Sequence, residues 1–282
     1  MHAWQAALLM MQQVSLQRKF ARHNLVNEFA LNINMRFKIT RFIYGAALLL
    51  ASCKSHYTLV EAKRSEYNIN NAVSADSTVI KTYLPYKQKM EAQMSAVIGQ
   101  SARLLTKSGE TESLLGNFFA DAVTSEALKI DPAIDFAVPT TKGGLRNDVA
   151  QGNITLSTMF ELMPFENELV VLKLKGTDVE QLLTFLAQSG GQPVNNIKFS
   201  IANGQAQQVL IKGQPFDRNH IYNVLTSDYI ANGGDNVKGM ANPLERKVLG
   251  LRVRDALINY VKQQTTAGKP IDAQLDGRIT KN

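Results

Sequence analysis

Three short segments of this sequence combine glycine, aromatic and charged residues in a way that suits the binding of a small ligand. They are Gly143-Gly144-Leu145-Arg146, then Met163-Pro164-Phe165-Glu166-Asn167, and then Ser227 to Asp235, which includes Tyr229, Asn232, Gly233 and Gly234. Paired glycines let the main chain approach a ligand closely, an aromatic ring can stack on a base, and arginine or aspartate can bond phosphate or ribose oxygens. Each segment taken alone also has a structural interpretation: a hairpin turn with a solvated arginine, a core phenylalanine, and a turn that follows a strand.

The sequence lacks the residue patterns of the common hydrolytic sites. A two-metal hydrolase needs several His, Asp and Asn ligands close together, but only His220 of the four histidines lies beyond residue 56. There is no His-Glu-x-x-His, no Gly-x-Ser-x-Gly and no phosphate-cradling glycine loop. Asp217, His220 and Ser227 could form a nucleophilic triad, but a solvated histidine just before a strand is the better interpretation. We therefore predict no catalytic residue, no metal site and no cofactor in this chain.

The N-terminal region has the pattern of a secretory leader that ends in a cysteine. Residues 35–41 are cationic, residues 42–50 are apolar, and Leu50-Ala51-Ser52-Cys53 resembles a lipobox, in which the cysteine sulfur receives a diacylglycerol. We predict a lipoprotein signal peptide over residues 35–52 and a membrane anchor on Cys53, with an unmodified cysteine as the alternative. Residues 1–34 fit a start codon assigned too far upstream, or else an amphipathic extension.

The basic character of the chain belongs mainly to this leader. Residues 1–52 contain six of the 31 basic residues and one of the 24 acidic residues, so 25 basic and 23 acidic residues remain for the rest of the chain. No basic block is left to follow a phosphate backbone, so we predict no nucleic-acid partner.

Hydrophobic periodicity predicts a polar tether over residues 53–75 and a single α+β domain, a mixed sheet with packed helices, over residues 76–282. The first predicted helix, residues 76–94, is interrupted at Pro85 and carries an apolar stripe that we assign to the core. The other predicted helices cover residues 112–130, 155–162, 177–188 with Thr177 as N-cap, and 253–261. The predicted strands cover residues 97–105, 134–138, 168–174, 197–201, 207–211, 221–226 and 277–280, with a hairpin at Asn203-Gly204.

In order and approximate spacing, the three ligand-type segments resemble the C-terminal, substrate-binding domain of the 5'-nucleotidase family and of related cyclic phosphodiesterases and UDP-sugar hydrolases. Residues 115–122 are similar to that family's Gly-Asn helix, and residues 175–179 to its strand-to-helix turn. The resemblance covers roughly residues 76–280. It implies that Phe165 and Tyr229 sandwich a base, that Asp235 holds the ribose, and that Arg146 faces the sugar-phosphate side.

The resemblance implies a nucleotide- or nucleoside-binding domain, since the family's metallophosphatase domain has no counterpart in this sequence. A separately encoded metallophosphatase would then supply the divalent metals, and the bound pair would lie in the periplasm or at the surface of the bacterial cell envelope. Two departures favour an alternative, an envelope lipoprotein that kept the fold but lost its ligand. Thr141 stands where the family has asparagine, and Thr111 lies near the position of a second arginine. The third possibility, a complete phosphatase, would require that the purified chain alone shows metal-dependent turnover.

Overall fold

The computed structural model describes residues 61–67, 70, 74 and 76–282. The predicted extension over residues 1–34, the predicted signal peptide and the predicted lipidation site Cys53 lie outside the described residues, as does most of the predicted tether. A compact unit extends from Ser74 to Asn282. No helix in the described part of the chain combines the length and the apolar composition that a bilayer crossing needs.

Six helices and ten strands form the described part of this unit. The helices are α1 Ser77–Met94, α2 Leu114–Leu128, α3 Leu156–Leu162, α4 Gly176–Gln188, α5 Asp228–Ala231 and α6 Val253–Thr266. The strands are β1 Val97–Ser101, β2 Phe136–Ala137, β3 Gly152–Thr155, β4 Glu168–Lys175, β5 Ile197–Ala202, β6 Gln205–Ile211, β7 Gln214–Pro215, β8 Ile221–Ser227, β9 Glu245–Arg252 and β10 Ile279–Lys281. Two 3-10 turns cover Lys142–Gly144 and Gly234–Asn236.

The strands form two four-stranded mixed sheets and one small ribbon. The central sheet has the order β2-β8-β4-β9, with β2 parallel to β8 and the other pairs antiparallel. The second sheet has the order β10-β5-β6-β7, and β1 pairs with β3. The predicted α+β class with a mixed sheet and packed helices is therefore confirmed.

The central sheet lies between two hydrophobic cores because side chains alternate between its faces. Along β4, Leu169 and Val171 belong to one core and Val170 and Leu172 to the other. Helices α2, α3 and α6 cover the first face, while α4 and the second sheet cover the opposite face. Both faces of β4 are covered over residues 169–172, which form a continuous apolar run, whereas exposed and buried residues alternate over residues 172–175.

The topology of the central sheet brings the three ligand-type segments together. Leu169 near the start of β4 pairs with Ser227 at the end of β8, and Ala137 at the end of β2 pairs in parallel with Leu225 of β8. The chain therefore leaves β2, enters β4 and leaves β8 at the same end of the sheet. The glycine pair follows β2, Phe165 precedes β4, and Tyr229 follows β8.

The prediction that the apolar stripe of α1 belongs to the core is wrong. The helix runs without a break through Pro85, and none of its residues is fully buried. Tyr86 is 76% exposed and Met90 is 54% exposed. Periodicity shows that a helix can present an apolar face, but it does not show that a partner covers that face, and no described residue buries this one.

Smaller predictions also need correction. The first strand ends at Ser101 rather than at residue 105. Helix α4 begins at Gly176 after Lys175, so Thr177 is not its N-cap. A side chain at position 176 would place its Cβ atom 2.4 Å from the carbonyl oxygen of Arg218, so glycine is required there by packing. Strands β3, β7 and β9 were not predicted. Strand β9 is an edge strand with one buried residue, Leu249, and its charged sequence is typical of exposed sheet edges.

Candidate functional site

A cavity of about 370 Å³ lies at the end of the central sheet where the three segments meet. This volume falls within the usual range for small-molecule sites. Six of the predicted site residues line it: Gly143, Gly144, Arg146, Phe165, Tyr229 and Asp235. Four further residues complete the wall: Thr140, Met163, Asn167 and Ser227. The cavity therefore combines two aromatic rings, one guanidinium, one carboxylate and several neutral polar groups.

The glycine pair forms a 3-10 turn rather than a hairpin turn. A Cβ atom on Gly144 would lie 2.1 Å from the hydroxyl oxygen of Thr140, so a larger residue would displace a side chain of the cavity wall. Gly143 is less confined, since its Cβ atom would meet only the Thr141 hydroxyl oxygen at 3.6 Å. Between the two threonines and the glycines, Lys142 directs its amine away to the carbonyl oxygens of Glu110 and Gly190. Burial lowers the pKa of that amine.

Arg146 lies over Phe165 in a cation–π contact. The centre of its guanidinium is 4.9 Å from the ring centroid, within the distance at which the ring quadrupole attracts a cation. The guanidinium forms no hydrogen bond or ion pair with another described residue, so its N–H donors are available to a ligand. Phe165 is half-buried and also packs against the first core, which fixes one part of the ring while another part lines the cavity.

The loop that carries Phe165 is held by Arg254 of α6, a residue that sequence reasoning missed. The buried Arg254 guanidinium donates to the carbonyl oxygens of Met163 and Phe165, each at 3.3 Å, and to the carboxylate of Glu166. It also stacks on the Phe160 ring at 3.9 Å from the centroid. No motif near residue 254 indicated this role, because the contact joins residues about 90 positions apart.

Tyr229 and Asp235 are joined directly. The Tyr229 hydroxyl donates to Asp235 Oδ1 at 2.8 Å, and the hydroxyl of Thr141 donates to Oδ2. Gly234 packs against the tyrosine ring so closely that a Cβ atom there would lie 2.5 Å from the ring. Glycine is therefore required at position 234 because a side chain there would clash with the tyrosine ring. Gly234 itself does not line the cavity.

Asn232 and Gly233, also predicted as site residues, lie outside this cavity. They line a second cavity of about 350 Å³ whose other walls include Leu172, Val237 and Met240. The Asn232 side-chain oxygen accepts a hydrogen bond from Arg246 at 2.6 Å. Gly233 has a positive φ of 91° and lets the chain turn after α5. Both residues shape the loop that carries Asp235, and neither lines the cavity that contains Phe165 and Tyr229.

The residues that complete the wall differ in how far the sequence indicated them. Met163, Asn167 and Ser227 stand inside the segments singled out from the sequence, but they were not named as site residues. Thr140 lies just before the glycine turn, where no pattern marks it. The Ser227 hydroxyl also accepts from the main-chain nitrogen of Ile230 and so caps α5.

The structure separates the residues of the conceivable triad. His220 and Ser227 lie at opposite ends of the seven-residue strand β8. The imidazole packs edge-on against Tyr222, with ring centroids 4.8 Å apart. Across residues 61–67, 70, 74 and 76–282, no group of three or more His, Cys, Asp or Glu residues is arranged to hold a metal ion.

The Tyr229–Asp235 contact gives a testable pH dependence. The hydrogen bond to the Asp235 carboxylate, together with its negative charge, raises the pKa of the Tyr229 phenol. A phenol with a raised pKa keeps its proton to higher pH, so the stabilisation from this bond is complete below the ordinary tyrosine pKa of about 10 and is lost as the pH rises through the raised value. We expect Tyr229 to ionise at lower pH in Asp235→Ala than in the parent protein. The measurement is an NMR titration of labelled tyrosine rings, with the Tyr229 signal assigned from Tyr229→Phe, and coincident titration curves would contradict the expectation.

Comparison with known proteins agrees with the fold. The family model for the 5'-nucleotidase C-terminal domain matches residues 97–242, which is more than half of the chain. The chain therefore belongs to the 5'-nucleotidase C-terminal domain family.

Its similarity to individual proteins is confined to part of their length. The chain is 25% identical to Protein UshA of Escherichia coli over 233 residues, which are 81% of this chain and 41% of that protein. It is 28% identical to Cell wall protein Lmo0130 of Listeria monocytogenes over 186 residues, which are 60% of this chain and 24% of that protein. The crystal structure of a 5'-nucleotidase precursor from Thermus thermophilus superposes with a TM-score of 0.60 and 26% identity, covering 72% of this chain and 43% of that one. The chain thus spans less than half of the length of these relatives.

Proposed function

We propose that this protein binds a nucleoside or nucleotide in the cavity at the end of the central sheet. The base stacks on Phe165 and Tyr229, the Asp235 carboxylate accepts hydrogen bonds from the ribose hydroxyls, and Arg146 faces the sugar-phosphate side. One observation carries the proposal: the four side chains, which come from three separate chain segments, line a single cavity. Family membership supports the same assignment.

The chemistry of the wall suits such a ligand. Base–aromatic stacking is worth about 1–3 kcal/mol per base and tolerates any base, because each base has a π-face. The Arg146 donors are unpaired among the described residues and can form a fork to phosphate or ribose oxygens. Asn167, which is half-buried in the wall, offers an amide to the edge of the base.

A partner and a location complete the proposal. The matched relatives named UshA are more than twice as long as the matched region. Because this chain matches only that part of them, we propose that a separately encoded metallophosphatase supplies the divalent metals and the phosphate cleavage in nucleotide breakdown.

We further propose that the chain is held at the bacterial cell envelope by a lipid on Cys53. The relative described as a cell wall protein supports an envelope location.

Calorimetric titration of the purified protein with AMP, UMP and adenosine tests ligand binding. We expect binding of at least one of the three, and Phe165→Ala should weaken it by roughly 5- to 150-fold, which corresponds to the loss of one stacking contact. Asp235→Ala should also weaken it. A matched control is Tyr86→Ala, because this aromatic side chain lies on α1, is 76% exposed and does not line the cavity.

The possible outcomes separate the proposal from its rival. Absence of binding by the parent protein, or unchanged binding in both Phe165→Ala and Asp235→Ala, would contradict the proposal. The first of these results would favour an envelope lipoprotein that kept the fold without the ligand. One contact supports that rival. The Thr111 hydroxyl donates to the carbonyl oxygen of Ile279 at 2.6 Å, so Thr111 does not replace the second arginine that the family has near this position.

A further inference from the structure

We infer that Thr141 is a positioning residue that, with the Tyr229 hydroxyl, sets the Asp235 carboxylate to accept both hydroxyls of a ribose, so that the site selects ribose over deoxyribose. The inference rests on the proposed function and specifies the sugar that the site takes. It also changes the interpretation of Thr141, which the sequence alone presented as a loss of ligand contact.

The contact network around Asp235 is the first support. Thr141 is only 5% exposed, and its hydroxyl donates to one carboxylate oxygen while the Tyr229 hydroxyl donates to the other. Thr141 and Asp235 are 94 residues apart in the sequence. The contact therefore ties the turn after β2 to the loop after α5, and it fixes both oxygens of one carboxylate from two directions.

The backbone at Asp235 explains why such fixing is needed. Asp235 has a φ of 52° and Asn236 a φ of 55°, both in the left-handed region that residues other than glycine rarely adopt. Residues held in this conformation persist where the surrounding structure determines them, and they concentrate at ligand sites. The Asp235 side chain is exposed, so these two hydroxyls supply the side-chain contacts that orient it.

Counting acceptor sites gives the preference for ribose. An ionised carboxylate offers about four lone-pair sites, two on each oxygen. The hydroxyls of Thr141 and Tyr229 use one site on each oxygen, which leaves one site on each oxygen for a ligand. A vicinal diol fills both remaining sites at once. A sugar that lacks a hydroxyl fills only one of the two sites, so a ribose forms one more hydrogen bond to the charged group.

The Thr141→Val variant removes the hydroxyl and nearly keeps the side-chain shape, and Thr141→Ser restores the hydroxyl. Adenosine, 2'-deoxyadenosine and 2',3'-dideoxyadenosine are titrated into the parent and both variants by calorimetry, or the uridine series if UMP is the nucleotide that binds. We expect the parent to prefer the ribonucleoside to the dideoxynucleoside by at least tenfold, with the affinity for the 2'-deoxynucleoside between the two. Thr141→Val should reduce that preference by about tenfold, mainly through weaker ribonucleoside binding, because a carboxylate that is no longer held by Thr141 accepts one ribose hydroxyl instead of two. Thr141→Ser should keep the preference of the parent.

The readout is the ratio of the ribonucleoside affinity to the dideoxynucleoside affinity. A loss of base stacking would weaken the binding of both nucleosides and leave this ratio unchanged. If Thr141→Val does not fold, as judged by circular dichroism, Tyr229→Phe removes the second hydroxyl and keeps the ring, and it should reduce the same ratio. A parent protein that binds neither nucleoside nor nucleotide overturns the proposed function. A parent that binds, with an unchanged ratio in Thr141→Val or, where that variant fails to fold, in Tyr229→Phe, overturns the positioning role alone.

Discussion

Replacing Arg254 with methionine is expected to lower the free energy of unfolding by about 3 kcal/mol, since each buried acceptor left unpaired costs about 1–3 kcal/mol. The side chain of Arg254 is only 5% exposed, and its guanidinium serves the carbonyl oxygens of Met163 and Phe165 as well as the Glu166 carboxylate. Methionine fills much of the same space but donates no hydrogen bond. The buried carbonyl oxygen of Met163 and the partly buried one of Phe165 would then lose this donor.

The same substitution should weaken ligand binding, because these carbonyl oxygens belong to the loop that carries Phe165. The matched control is Arg252→Met. Arg252 pairs with the same carboxylate, Glu166, at 3.0 Å, but it is 52% exposed. Exposed ion pairs contribute at most about 1 kcal/mol, so the control should change stability little. The measurement is urea unfolding followed by circular dichroism, and similar losses for the two variants would contradict the role given to Arg254.

Replacing Arg278 with methionine should lower the free energy of unfolding by about 2–3 kcal/mol, the size expected for hydrogen bonds to charged groups. The loss stays below that of a fully buried ion pair because the carboxylates of Asp121 and Asp276 are 38% and 53% exposed and so remain partly solvated. The Arg278 side chain is 11% exposed and lies between two carboxylates, those of Asp121 and Asp276. It donates to both of them and to the carbonyl oxygen of Val194. The residue thus links α2, the segment before β5 and the segment that leads into β10.

An exposed arginine that pairs with a single carboxylate provides the control for Arg278. Arg218 donates to Glu180 at 2.8 Å, but the two side chains are 63% and 50% exposed. Arg218→Met should therefore change the free energy of unfolding by less than about 1 kcal/mol. Equal losses in the free energy of unfolding for Arg218→Met and Arg278→Met, measured by chemical denaturation, would show that burial of the Arg278 guanidinium does not add to stability.

The sequence predicted three of the four strands of the central sheet, β2, β4 and β8, and the helices that cover them, because their signals are local. The apolar runs of β4 and β8 and the periodicity of α2 and α4 each lie within a single element, and the Asn203-Gly204 hairpin depends on two residues whose positive φ angles the structure confirms. The order of the three motifs led to the prediction that their residues share one ligand site. The sheet topology explains why the three segments lie close together. The sequence could place those motifs along the chain, but only the pairing of β2, β4 and β8 puts them at one end.

The failures concern features that depend on what lies across space. The stripe on α1 is periodic, yet no described residue covers it. Arg254 and Thr141 act through contacts with residues about 90 positions away. Arg254 belongs to no recognisable motif, and Thr141 was noted only as a departure from the family's asparagine. Asn232 and Gly233 were grouped with Asp235 because they are adjacent in sequence, but the turn at Gly233 directs them to another cavity. Spacing along a chain does not determine the direction of side chains around a tight turn.

The convergence of three distant segments on one cavity has a practical consequence for finding the natural ligand. An unfolded chain cannot assemble a wall drawn from residues 140–146, 163–167 and 227–235, so a compound that fits the cavity binds the native state alone. By mass action, such a compound raises the melting temperature in proportion to the logarithm of its free concentration over its dissociation constant. A thermal-shift screen of bases, nucleosides and phosphorylated derivatives can therefore rank candidates without any assay of turnover.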